Sequence, residues 1–454
     1  MSEQLTAGLD LGSTTIKALV LDEHGVEVAS VEGPTPWRVA PHGATELDAA
    51  AVTYALRQLM ADLVEKLAAA GFGQTPVRAV AVSGMGETGF VVDDAGAAVA
   101  PAFAWFDPRG ADQIESTPAR LRHQFPSRTG LPLGVQASAI KLAHLRAQGV
   151  ALAGRQWLGL PEFVAVQLGA SRVAELSLAS RTGLLDQDTG RPWFEMLEHL
   201  GVRADFLPPL VDAGADLGSV SVPWLPPQFQ GARVTVAGHD HLVAAAVNGA
   251  AADGRYYASI GTAEVLVRIL EHPLPAAARE RLSEHLINYV RHVVPGQYAL
   301  VAGVKTGLLM RRILQLAGIT DRAGRDRLDA EVLTLPVDGL LGPEAIRVTG
   351  ARNDDGVLAV TVRSDGVSPA ELFAAALRHG NAELHRLIEA MDREVAPADA
   401  TVLTGGWASM LSVQRSRSLV LPALSVSTRS QETAYGAATF ARVLLPDRIP
   451  AQTL

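Results

Sequence analysis

The 454-residue chain contains no cysteine, which excludes disulfides, thiolate zinc sites and cysteine nucleophiles together and leaves chemistry to oxygen, imidazole or a bound metal. Lysine is almost missing as well. Of 39 basic residues four are lysines, Lys17, Lys66, Lys141 and Lys305, so arginine is the default cation and a compact ammonium the exception. No run of Lys or Arg occurs and the formal charge is −9, which argues against nucleic acid as a partner, because its backbone is bound by a concentrated basic face. No apolar run is long enough to span a bilayer, and the first residues pass directly into strand-like sequence with no basic segment followed by an apolar one. A cytoplasmic protein without a membrane partner is therefore expected. Two familiar nucleotide signatures are also missing: neither G-x-x-x-x-G-K-[ST] nor a strand followed by G-x-G-x-x-G is present. Any nucleotide site must be of another design.

What is present, a 48% hydrophobic share rich in Ala and Gly, suits an α/β protein, and the length calls for two or three domains. The stretch "TAGLDLGSTTIKALVLDEHG" reads as two short strands joined by a turn at Gly12, Ser13 and Thr14. Free N–H groups, hydroxyls and the nearby Lys17 also make that turn a candidate phosphate cradle. Downstream, "TELDAAAVTYALRQLMADLVEKLAAAG" has helical spacing from Leu47 to Leu67, with Thr45 as the candidate N-cap and Gly71 past the end. Strands follow at "VRAVAVSGMGE" and in a hairpin turning at Asp94 to Gly96.

Prolines cluster between residues 205 and 230, and "ARVTVAGHDH" then reads as a fresh start, which divides the chain into 1–237 and 238–454. The second half repeats the first. "SIGTAEVLVRIL" matches "DLGSTTIKALVL", setting Ser259, Ile260, Gly261 and Thr262 where Asp10, Leu11, Gly12 and Ser13 stand, so two related domains facing a cleft are expected. A helix opens at Ser368, Pro369 and Glu371 as a capping box; "ATVLTGGWASM" is a strand ending at Gly405 and Gly406. In the final helix Ala434, Gly436, Ala437 and Ala438 are small enough to admit a flat ligand or another backbone, two uses the sequence does not separate.

Asp10, at a strand end beside the candidate cradle, can hold a divalent cation through its water shell or merely cap a turn. Asp240 can take the proton of an attacking hydroxyl, or be an N-cap. His239 and His241 around it admit a metal-hydrolase reading, but no matching set of further ligands is found. Glu87 and Thr88, with Trp105, Asp107 and Arg109, could bind several hydroxyls and the apolar face of a small polyol; a buried Trp and a surface ion pair is the plainer alternative.

Taken in order, "LDLGSTTIKALVLD", "AVSGMGETGF", "PAFAWFDPRG", "ELSLASRTGLLDQDTGRPW", "VAGHDHLVAA", "SIGTAEVL", "LTGGWASM" and "ETAYGAA" resemble the blocks of the FGGY carbohydrate kinases, nearly end to end. The resemblance implies two ribonuclease H-like domains of the actin-like ATPase kind with a deep cleft between them, and an enzyme that uses ATP and Mg²⁺ to phosphorylate a small ketose or polyol. It implies that Asp240 is the general base and that Asp10 helps place Mg²⁺. By the same resemblance Gly12, Ser13, Thr14, Lys17, Gly261 and Thr262 hold the ATP phosphates; Gly405, Gly406, Trp407, Ala434 and Gly436 line the adenosine pocket; and Glu87, Thr88, Trp105, Asp107, Arg109 and Asp240 meet the sugar. Xylulose kinases are similar but carry "GQMHG" and "WND", with histidine where Glu87 stands, and glycerol kinases carry "NQRET", with arginine where Gly86 stands. "GARNDDG" lacks the proline of the family's "GERxP" block. A sugar- or nucleotide-binding sensor of the same fold, and a protein-acting ATPase of the superfamily, are the competing classes. Dimers are common in the family, and no interface signature is readable here.

Overall fold

The computed structural model describes residues 4–39, 44–248, 254–350 and 358–445, so "GARNDDG" beyond Gly350 lies outside the described residues. The opening stretch is a hairpin of Leu5–Leu11 with Thr15–Leu21, and the whole first strand is buried. Leu5, Ala7, Leu9 and Leu11 face a core shared with the helix Ala49–Ala69, which contributes Val52, Leu56, Leu59, Met60, Leu63 and Leu67. Each such fully buried side chain stabilises the fold by about 1.5–3 kcal/mol. That helix is capped by Asp48, whose Oδ1 accepts from the Ala50 and Ala51 amides, and not by Thr45. Thr45 is held instead in a short strand, Thr45–Leu47, paired on both sides.

The first sheet has five strands in the spatial order Arg233–His239, Val77–Gly84, Leu5–Leu11, Thr15–Leu21, Glu27–Pro34; the first three are parallel and the rest antiparallel. "ARVTVAGH", read from the sequence as a fresh start, thus completes the first sheet: its apolar residues find an open parallel neighbour in Val77–Gly84. The second sheet runs Leu424–Val426, Ala400–Thr404, Arg255–Ile260, Glu264–Leu270, Tyr298–Val304, with Asn288–Arg291 added at the edge. Apart from that added strand, order and direction reproduce the first sheet. The repeated motif is therefore the visible end of a repeated sheet.

Two helices sit between the sheets. Asp240–Val247 leaves the first sheet directly, and Glu432–Arg442 packs back on it, so tightly that any side chain at Gly8 would run into the Ala434 carbonyl oxygen. Tyr257 of the second sheet donates to Glu432 Oε2 at 2.6 Å, and one apolar cluster draws on Leu242, Val243, Val267 and Ile269 from both sides. Ser368 caps its helix by accepting from the Glu371 amide at 3.2 Å, but the Glu371 carboxylate turns away to the Leu340 and Leu341 amides, so half of the expected capping box forms. No helix among the described residues is long and apolar enough to cross a membrane.

Candidate active site

The three parallel strands of the first sheet end at one edge, with Asp10 level with Ser83, Ser83 with Gly238, and Gly84 with His239. Each strand delivers an acid there: Asp10 from the first, Glu87 just past the second, Asp240 just past the third. Open α/β sheets bind ligands at this carboxyl edge.

The three carboxyls differ in their surroundings. Asp10 is buried and its Oδ1 meets no hydrogen-bond donor; burial and then the neighbouring Asp240 push it up to about 7, against the pull of Lys17 on the adjacent strand. Burial works against the charged form of Asp240 too. There the His241 ring, the His241 amide at 2.7 Å and Arg181 more than offset it and hold the carboxyl below the usual range. The His239 ring, 3.2 Å from Asp240 Oδ1, is driven down to about 3 by burial and is neutral. Glu87 is raised by burial, with Arg181 paired to its Oε1 as the largest counterweight. Coupled carboxyls held at different charge are a mark of functional sites.

Arg181 was not singled out by the sequence. Its guanidinium is buried, one nitrogen is tied to Glu87, and Nε and Nη1 have no partner. Gly86 makes room for it: a side chain at 86 would lie 3.0 Å from the His239 ring and 3.1 Å from Arg181 Cγ. The signal was present in "SLASRTG", as an arginine inside an otherwise small and hydroxylic segment.

Asp107 and Arg109 are spent on each other. Asp107 Oδ1 accepts from the Arg109 amide and Nε at 2.9 and 2.8 Å, Oδ2 accepts from Arg109 Nη2 and the Thr45 amide, and Arg109 Nη1 reaches Glu46 at 2.8 Å. Burial opposes the Asp107 charge, and these donors outweigh it and lower its pKa. Lys141, buried and drawn down to about 8 mainly by burial, donates to the Asp107 and Arg109 carbonyls. Asp107 and Arg109, expected at the sugar, form with Glu46 a largely buried ionic brace, not a surface pair. Trp105 remains half-buried, edge-on to Phe106 at 5.3 Å, and Phe106 in turn to Trp37 at 5.8 Å. Thr88 Oγ1 is buried without a partner and lines a small cavity under the Glu87 loop with Trp157 and Glu162.

The first turn, Gly12 to Thr14, is open to solvent and pinned from below, where Thr35 Oγ1 donates to the Gly12 carbonyl and Trp37 Nε1 to the Ser13 carbonyl, both at 2.6 Å. The second, around Gly261 and Thr262, is packed by Gly307, where no side chain fits against the Gly261 carbonyl; Thr262 Oγ1 accepts from Arg311 at 2.7 Å. Gly405, at φ +93°, crosses the Ile260 backbone so closely that a side chain would lie 2.5 Å from the Ile260 oxygen, and Gly406 faces open space. Trp407, Ala434 and Gly436, expected at the adenosine pocket, sit in packed surroundings. Trp407 is buried in the second core against Phe373, Ala434 covers Gly8, and Gly436 is filled by Val243 at 2.7 Å, so packing accounts for all three. Among the described residues no three His, Asp or Glu side chains converge to hold a metal ion, although the His239 and His241 rings lie 5.8 Å apart on either side of Asp240 in the chain.

Residues 5–246 match the FGGY family of carbohydrate kinases, N-terminal domain. The chain belongs to this family. It is 28% identical to a glycerol kinase of Xanthobacter autotrophicus over 95% of its own length and 88% of the relative's, and 25% identical to an L-fuculokinase of Salmonella typhi over 59% of its own length and 57% of the relative's. Among solved structures, a xylulose kinase from Rhodospirillum rubrum superposes with a TM-score of 0.82 at 22% identity, covering 98% of this chain and 91% of the other. Plasmodium falciparum glycerol kinase with ADP gives 0.82 at 15%, covering 100% and 92%. The fold is the actin-like ATPase fold of the sugar kinases. This FGGY protein is accordingly a carbohydrate kinase, and the acidic edge of its first sheet is the candidate seat of its chemistry.

Proposed function

We propose that this kinase transfers the γ-phosphoryl group of ATP to a hydroxyl of a small ketose or polyol, with Asp240 as the general base. The observation that carries this reading is a partly buried carboxylate, 19% exposed at a sheet edge and held ionised, beside a second carboxyl, Asp10, that has a bare oxygen. Asp240 accepts the proton of the acceptor hydroxyl as its oxygen attacks the γ-phosphorus and ADP leaves. His239, being neutral, does not protonate Asp240 and leaves it free to accept the hydroxyl proton, and Arg181 limits repulsion among the acids.

The acceptor lies over Glu87 and Arg181, with Trp105 at its apolar face. Glu87 accepts from hydroxyls, and the free Arg181 nitrogens donate to a carbonyl or hydroxyl oxygen. Glu87 stands where xylulose kinases have histidine and Gly86 where glycerol kinases have arginine, so the acceptor pocket matches neither pattern in full and the preferred sugar is left to the test. Asp107, Arg109, Glu46 and Lys141 brace the loop that carries Trp105.

ATP is held by two turns, one from each sheet: Gly12, Ser13 and Thr14 with Lys17, and Gly261 and Thr262 with Arg311. The adenosine lies near Gly405 and Gly406, and the chain divides after His239 into an acceptor half and a nucleotide half. The bare oxygen of Asp10, in a strongly acidic setting, fits a Mg²⁺ ion held through water, which when bound would neutralise charge on the phosphates.

The test is ADP release with Mg·ATP across ketopentoses, 6-deoxyketoses, tetritols, glycerol and heptuloses. Strong turnover with one acceptor supports the reading and names the substrate. Silence throughout with ATP still bound would favour the sensor.

A further inference from the structure

Of the strands that end at the acidic edge, the one that delivers Asp240 is irregular at its last residues. Its register against Val77–Gly84 shifts between Val236 and Gly238, and Gly238 lies in the left-handed region at φ +104°. A bulge of this kind re-aims the residues that follow it. It must also be held, because the extra residue leaves the regular ladder.

Most of the groups that hold it come from the segment "AELSLAS", none of whose residues was predicted to bind a substrate. Ser177 Oγ accepts from the His239 amide at 3.0 Å and donates to Glu175 Oε2 at 2.6 Å. Glu175 is itself saturated by donors, its Oε1 accepting from the Ser177 amide and its Oε2 also from the Leu178 amide, both at 3.0 Å. The Glu175 amide in turn donates to Glu162 at 2.6 Å. On the other side Ser83 Oγ donates to the Gly238 carbonyl at 2.9 Å. Glu175, Ser177 and Ser83 are all 0% exposed. No space is left over, since a side chain at Gly238 would stand 2.5 Å from Ser177 Oγ and 2.6 Å from Val293.

We propose that Ser177, oriented by Glu175, is a positioning residue for Asp240: its hydroxyl fixes the Gly238–His239 peptide, and with it the direction in which the next side chain enters the site. The proposal rests on the reading of Asp240 as base. A hydroxyl suits the task because it can accept from the amide and donate to the carboxylate at once. Proton transfer in a phosphoryl-transfer site is sensitive to such placement, and displacement of a reacting group by about 1 Å costs about 100-fold in rate.

Steady-state kinetics with the acceptor found in the panel test it, using Ser177→Ala, Asp240→Asn and the double variant. Ser177→Ala is expected to lower kcat roughly 10- to 100-fold with both KM values changed less than about twofold, and the double variant to turn over no more slowly than Asp240→Asn alone. Losses that multiply in the double variant would show that Ser177 acts independently of Asp240 and overturn the proposal. So would a fully active Ser177→Ala beside an inactive Asp240→Asn, which leaves the base reading standing. A nearly normal Asp240→Asn would remove the base and this role with it. Should Ser177→Ala fail to fold, Glu175→Gln, which preserves size, carries the same test: a kcat loss that is absent in the Asp240→Asn background supports the relay, and an unchanged kcat overturns it.

Discussion

The two sheets share strand order and direction, yet their matching edges are chemically unlike. The first offers three carboxyls, an arginine and two histidines around Asp10 and Asp240. At the corresponding end of the second, Ser259 stands where Asp10 does, followed by one glycine, Gly261, and Thr262. Their supports differ in kind as well. The first turn is pinned by neutral donors, Thr35 and Trp37, whereas the second hairpin is anchored by Arg417, fully buried and paired to Glu264 at 2.6 and 2.8 Å. One scaffold used twice thus carries an acidic edge on the first sheet and, at the matching hairpin of the second, an edge where the carboxylate of Glu264 is paired to Arg417.

The largest effect expected from breaking this contrast is at Asp240. Asp240→Asn should reduce turnover roughly 10²- to 10⁴-fold while ATP binding, measured by calorimetry, persists, because Asp240 belongs to neither of the turns proposed to hold the phosphates. The converse lesion is Arg417→Met, which strands the Glu264 carboxylate in the core. Breaking such a pair costs about 3–5 kcal/mol, so a lowered urea midpoint and a weakened ATP KM are expected, with the acceptor KM of the surviving folded enzyme little changed.

Smaller effects sharpen the picture within the first edge. Arg181→Met should raise the acceptor KM about tenfold or more and leave the ATP KM alone, since it removes two donors from the acceptor side only. An equal rise in both would move Arg181 out of the acceptor site. Asp10→Asn bears on stability. The folded carboxyl titrates near 7 and an unfolded one near 3.8, so the native state prefers the proton, and the penalty for charging Asp10 grows as pH rises between those values and is complete above 7. Without nucleotide the variant should therefore melt higher than the parent by roughly 2 to 5 °C at pH 8 and by less at pH 5. A gain that is the same at both pH values would show that Asp10 does not titrate in this window.

Much of this was legible in the sequence because the fold repeats itself at short range. Two Gly-hydroxyl turns after apolar runs located both hairpins, and the acids following strands located Asp10, Glu87 and Asp240. The sequence was weaker wherever a residue's partner is remote. Nothing local distinguishes an Asp107 that binds sugar from one consumed by Arg109 and by Thr45, 62 residues away. Small residues posed the same problem at Ala434 and Gly436, where the sequence does not show that Gly8 and Val243 pack against them. Arg181 escaped notice because its meaning depends on the side chain that Gly86 lacks. The strand Arg233–His239 reads locally as a fresh start because its neighbour in the sheet lies some 150 positions earlier, so the division after residue 237 falls inside it.

The contact of Gly8 with Ala434 has a consequence for biosynthesis. The first strand made and the last helix described are packed face to face, so during translation the face of the sheet bearing Gly8 stays bare until residue 442 has left the ribosome. A fragment that stops after the first sheet, near residue 248, lacks that cover and presents apolar strand surface to the solvent. Expression of the two halves as separate genes should succeed only when they are produced together, each finishing the other.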